Sequence, residues 1–96
     1  MSDGEVRLTG QLICASAVEV EIVRTHLPEH IRLTRAEPGC LAFTVEQTTA
    51  DPLIWRIEER FVDKVAFSHH QSRTRASVWW AATAGIVRDY EIIGLA

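Results

Sequence analysis

Residues 40–61 read CLAFTVEQTTADPLIWRIEERF, and their alternation decides the fold. From Leu53 onward, Leu53, Trp55, Ile57, Glu59 and Phe61 fall on one side of an extended chain, with Arg56, Glu58 and Arg60 on the other. That is the period-two signature of a strand with one buried face. Before it, Cys40 to Gln47 places Leu41, Phe43 and Val45 together. The polar stretch Thr48 to Pro52 is a turn, so the two strands make an antiparallel hairpin.

Upstream, Val6 to Ala15 alternates Leu8, Gly10, Leu12 and Cys14 against Thr9, Gln11 and Ile13, and is read as a first strand. Ser16-Ala17-Val18-Glu19 fits a capping box. A helix follows, with Val20, Val23, Leu27 and Ile31 at steps of three and four. Pro28 lies inside that pattern and predicts a kink or break, because it removes a backbone donor and crowds the preceding turn. Glu37-Pro38-Gly39 ends the helix, the glycine being free to take positive φ. Downstream, Asp63 is an N-cap for a second helical region reaching about Ala84, which Gly85 stops. Ile86 to Leu95 is a fourth strand. The order β-α-β-β-α-β gives an α+β, ferredoxin-like fold: a four-stranded antiparallel sheet with helices on one face.

Ninety-six residues make one domain with a thin core. Apolar residues are 47% and charged residues 24%, as in ordinary globular chains. Net charge is −3 and no basic run occurs, so we expect no nucleic-acid partner. No apolar stretch approaches membrane-spanning length, and Met1 to Glu5 is polar without a signal-peptide pattern. We expect no membrane association and a cytoplasmic location. Cys14 and Cys40 are too few for a disulfide framework and read as buried thiols. Two helices cannot cover both faces of such a sheet. The uncovered face is expected to be partly apolar and to pack against a second copy, giving a homodimer.

Three sets of residues bear on chemistry. His26-Leu27-Pro28-Glu29-His30 matches the inverted zinc-protease spacing H-x-x-E-H. Pro28 threatens the single helical face that two ligands would need, so we read a kinked, partly exposed helix and no metal site. In the second helical region, Phe67, His70, Thr74 and Ser77 share a face, where leucine or valine would be ordinary. Arg73 stands beside His70. A polar stripe turned toward a sheet suggests a cavity, or a structural histidine bonded to a neighbour such as Glu59. His69 points elsewhere, toward solvent. Phe43, Trp55, Phe61, Phe67, Trp79, Trp80 and Tyr90 supply aromatic surface for a flat apolar ligand. No G-x-G-x-x-G, Walker loop or G-x-S-x-G elbow is present.

Glu37-Pro38-Gly39-Cys40-Leu41 entering a strand, Glu59-x-Phe61 closing the next, and Ala66-Phe67-x-x-His70 together resemble the antibiotic biosynthesis monooxygenase domain family. The resemblance runs over about residues 6–94, and Phe67 to Trp80 looks like one branch of that family. It implies a dimeric α+β barrel. It also implies oxidation of a quinol or a polycyclic, polyketide-like phenol by dioxygen, with no metal or cofactor, because the substrate supplies the electrons. Carried over by position, His70 becomes a catalytic base that Glu59 orients. Arg73 or Tyr90 steadies the anionic oxygen, and Phe43, Trp55, Phe67, Thr74 and Ser77 line the substrate site. Some haem-degrading enzymes share the fold but use an asparagine in the first strand. Leu8-Thr9-Gly10-Gln11-Leu12 has none, which disfavours haem.

Overall fold

The computed structural model describes residues 4–95, so part of the polar start Met1 to Glu5 lies outside the described residues. The elements are β1 (Val6–Ile13), α1 (Ala17–Arg35), β2 (Cys40–Gln47), β3 (Ile54–Phe61), α2 (Lys64–Arg75), α3 (Val78–Thr83) and β4 (Val87–Ile93). The strands form one antiparallel sheet in the order β2-β3-β1-β4. This is the ferredoxin-like α+β arrangement read from the alternation. α1 lies against β2 and α3, and α2 lies against β3.

Register explains which side chains meet the helices. Phe43, Glu59, Leu8 and Ile92 form one row across the inner face, and Val45, Ile57, Gly10 and Tyr90 form the next. The core sits over these rows, where Leu8, Leu12, Ile57 and Phe61 meet Val23 and Leu27 of α1 and Phe67 of α2. The helices do not reach across β4: Tyr90 and Ile92, although on the inner face, are exposed. The outer face carries one apolar row, Ile54–Ile13–Val87, and otherwise mostly charged and polar side chains.

Local chemistry departs from the sequence expectations at several places. α1 stays helical through Pro28. The proline lies on the exposed side, where water can reach the carbonyl it leaves unpaired, and buried residues on both sides pin the helix. The buried stripe of α1 runs Val23, Leu27, His30, Thr34, with Ile31 only partly buried. Ser16 caps through its extended backbone alone, while Glu19 accepts from the Ala15 N–H at 2.6 Å. Leu41 is exposed, because an irregularity between Cys40 and Ala42 turns it away from Phe43 and Val45. Gly39 does not take positive φ. It is small because a Cβ there would fall 2.2 Å from the Ala66 Cβ at the start of α2. Asp63 does cap α2, accepting from the Ala66 N–H at 2.8 Å. The second helical region breaks at Ala76, and Ser77 starts α3 as its N-cap, accepting from the Trp80 N–H.

Gly10 fixes the closeness of β1 and β4. A Cβ at that position would meet the Asp89 carbonyl oxygen at 2.2 Å and the Tyr90 ring at 2.8 Å. Backbone cannot yield as a flexible side chain does, so Gly10→Ala should displace β4. We expect a loss of at least about 2 kcal/mol, read from urea unfolding. Stability equal to wild type would show that the strand pair is looser than the register implies.

Candidate functional site

His70 lies at the centre of a buried polar cluster. α2 carries it on the same face as Phe67 and Thr74, and only 2% of it is exposed. The ring packs against Phe61 at 4.7 Å between centroids, Phe43 at 5.9 Å and His30 at 6.1 Å. Nδ1 lies 3.0 and 3.2 Å from the two carboxylate oxygens of Glu37. A carboxylate accepts only, so the ring proton sits on Nδ1. Arg73, one turn along α2, donates its Nε–H to the same carboxylate and another N–H to Thr34 Oγ1 at 2.9 Å. Glu37 thus receives both groups.

The other edge of the imidazole is much less engaged. Nε2 faces Thr74 Oγ1 at 3.4 Å and Glu59 Oε1 at 3.7 Å. The second distance is too long for a direct hydrogen bond, and Glu59 Oε1 is buried with no partner. Burial, and then the charge of Glu37, push the Glu59 carboxyl up to about 8, so it is largely protonated at neutral pH. Burial also holds His70 below the ordinary histidine value. Glu37 opposes this through its charge and its hydrogen bond, while Arg73 and His69 add to the depression. The result is a neutral imidazole with an anchored Nδ1–H and an Nε2 lone pair that the Thr74 hydroxyl engages only at a long 3.4 Å, facing a neutral acid.

The remaining candidates fall into three groups. Phe43 and Thr74 adjoin His70 directly, and Phe67 stands behind it against Phe61 at 5.6 Å. Tyr90 lies across the sheet on the less covered side of the inner face; partial burial of the ring raises its phenol, with Arg88 opposing the rise and Glu59 adding to it. Trp55 shares the inner face but sits four residues along β3 from Glu59, about 13 Å away by strand rise, beside Cys14. Ser77 is occupied as the cap of α3, also donating to the Thr74 carbonyl. Arg73 is committed to Glu37 and Thr34.

Sequence reasoning gave no site role to Glu37, taken as the helix end and the start of a family motif, or to His30, taken as part of a kinked, partly exposed segment. His30 is 4% exposed and stacks on Trp79 at 4.8 Å with the planes 4° apart. The spacing Val23, Leu27, His30, Thr34 was the signal that would have found it. His26 and His30 both line one cleft of about 440 Å³. Among the described residues, no three His, Cys, Asp or Glu side chains are placed to hold a metal ion.

Glu59 also ties stability to pH. Its folded pKa of about 8 lies above the unfolded value near 4.5, so the native state keeps a proton that the unfolded chain has lost. This contribution is full below pH 4.5 and falls as pH rises through 8. Depressed histidines act oppositely, losing stability below pH 6.5, and His30 continues this down to about 3. Between pH 6.5 and 8 the Glu59 effect therefore stands almost alone. Glu59→Gln should flatten the stability–pH curve there by roughly 1 kcal/mol per pH unit, measured by chemical denaturation. A slope unchanged from wild type would mean that Glu59 ionises normally.

No curated protein matches the sequence. Several solved structures share the fold. A provisionally assigned antibiotic biosynthesis monooxygenase of Nitrosomonas europaea superposes with a TM-score of 0.79 at 16% identity, over 98% of this chain and 91% of its own. One from Deinococcus radiodurans gives 0.80 at 21% identity, over 95% and 92%. One from Bacteroides thetaiotaomicron gives 0.80 at 21%, over 100% and 91%. The sequence profile of the family described as antibiotic biosynthesis monooxygenase matches residues 17–81, from the start of α1 into α3 and including Glu37, Glu59 and His70. With that match spanning most of its length, the chain belongs to the antibiotic biosynthesis monooxygenase family.

Proposed function

We propose that this chain is a monooxygenase that oxidises a quinol or polycyclic phenol with dioxygen, His70 Nε2 taking the substrate proton. One observation carries the reading: a neutral imidazole is fixed at Nδ1 by Glu37 and left with a weakly engaged Nε2 beside an unpaired, protonated Glu59. A base needs a free lone pair at working pH and a ring that cannot turn away. Orientation falls to Glu37, held in turn by Arg73. Glu59 is a neutral hydrogen-bond donor next to the reacting edge.

Proton removal makes the substrate an electron-rich anion able to reduce dioxygen. Where a ring-flanked CH2 becomes a carbonyl, the substrate supplies all four electrons. One oxygen atom ends in the product and the other leaves as water, so the reading requires no added reductant. Tyr90, whose raised pKa keeps its O–H at neutral pH, is our candidate donor to the anionic oxygen. Substrate enters from the side where Tyr90 and Ile92 leave the inner face uncovered.

We further place the protein in the cytoplasm as a homodimer, joined through the outer sheet face. The apolar row Ile54–Ile13–Val87 and the exposed Ile93 favour that contact. No helix among the described residues is long and apolar enough to cross a membrane. The alternative, a non-catalytic binder of small apolar molecules, draws support from how fully the cluster satisfies its own charges.

Oxygen uptake with a panel of naphthohydroquinones and anthrones tests the function. Wild type should consume oxygen, His70→Asn should lose at least about 100-fold, and Glu37→Gln about tenfold with a displaced pH profile. Thermal stabilisation by the same compounds without oxygen uptake would replace the enzyme reading with the binding one. For assembly, sedimentation should give twice the chain mass, and Val87→Asp with Ile93→Asp should give the single-chain mass. A wild-type monomer would remove the dimer.

A further inference from the structure

α1 and the break between α2 and α3 enclose a cleft on the helical side of the molecule, away from the sheet. Its volume is about 440 Å³, enough for a bicyclic molecule. Leu33 and Val78 border it, and His30 and Trp79 lie deeper. The cleft exists because α2 stops at Arg75 and α3 restarts at Val78; an unbroken helix would fill that space differently. Its lining includes no lysine or arginine, and the carboxylate of Glu29 is taken by Arg32. With no lysine or arginine in its wall, the cleft favours a neutral ligand over an anionic one.

One group in this wall is unspent. His30 is more than nine-tenths buried, and its Nδ1 is sealed from solvent with no hydrogen-bond partner. A sealed N–H without an acceptor is costlier than a sealed lone pair. The ring proton therefore belongs on Nε2, which is not among the sealed, unpartnered side-chain atoms of the described residues. The imidazole remains neutral, since burial first, and then the charges of His70, Arg73 and Arg88, lower its pKa to about 3. The stacked Trp79 fixes the ring plane.

We infer that this cleft is a second small-molecule site, taking a neutral, compact apolar compound whose carbonyl or ether oxygen accepts a hydrogen bond from His30 Nε2–H. None of Glu37, Glu59 or His70 lines it, although His30 touches the His70 ring from the other side; its occupancy is read by binding alone, so its test does not depend on the proposed oxidation.

The probe is 1-tetralone, a neutral bicyclic ketone, set beside its oxygen-free counterpart tetralin. Titration of the ¹⁵N-labelled full chain should shift the amides of Leu33, Ala76 and Val78. Val78 is 71% exposed, so Val78→Trp can fill the cleft without disturbing the core, and it should weaken tetralone binding at least tenfold. Tetralone should bind no more weakly than the more apolar tetralin. Tetralin tighter by tenfold would reduce the site to apolar contact and overturn the role of His30. Shifts confined to Tyr90 and Ile92, no shifts at 1 mM tetralone, or a change of molecular mass in the Val78→Trp variant would overturn the site.

Discussion

The carboxylate of Glu37 is what the interior beneath α2 depends on. It lies at the end of α1 and reaches His70 and Arg73, which are 33 and 36 positions further along the chain. Burying a histidine, an arginine and a carboxylate in a core this thin is costly unless each group is paired. Here one carboxylate serves both partners, and Thr34 takes the remaining guanidinium reach. With those charges settled, Phe43, Phe61 and His30 close around the imidazole.

The same pairing determines what is left over. Nδ1 is committed, so the chemistry available to His70 is that of Nε2. Glu59 lies beyond hydrogen-bond distance, yet it is too deeply buried and too near Glu37 to ionise readily. Two carboxyl groups in one cluster are thereby driven to different roles: one orients the ring and the other stays protonated next to it. Such divergence is the arrangement that acid–base chemistry needs. The fold supplies the positions simply. β3 alternation sets Glu59 inward, and the helical period sets His70, Thr74 and Phe67 on one stripe.

Much of this was legible in the sequence, and the failures are physical. The strands announced themselves by period two, and Asp63 by its place before a helical stripe. Glu59 and His70 stood out because polar residues occupied core positions. Glu37 was hidden because its role is tertiary: nothing near it in sequence reveals partners more than thirty residues away. His30 was legible from the three- and four-residue steps after Leu27, but Pro28 drew attention to a break that the buried face of α1 prevents. Leu41 followed the alternation in sequence and not in space, because an irregularity in β2 consumes one residue. Trp55 was assigned the right face but lies at the far end of it. Ser77 continued the stripe numerically, yet the helix had already ended and the hydroxyl became a cap.

The chemistry of the site turns on which nitrogen of His70 bears the proton. Long-range ¹H–¹⁵N correlation of the histidine rings at pH 7 reads this directly. A protonated Nδ1 and a bare Nε2 for His70, unchanged between pH 8 and pH 6.5, is the predicted result. A proton on Nε2, or an imidazolium across that range, would contradict it, because the edge facing Glu59 would then have no lone pair to offer.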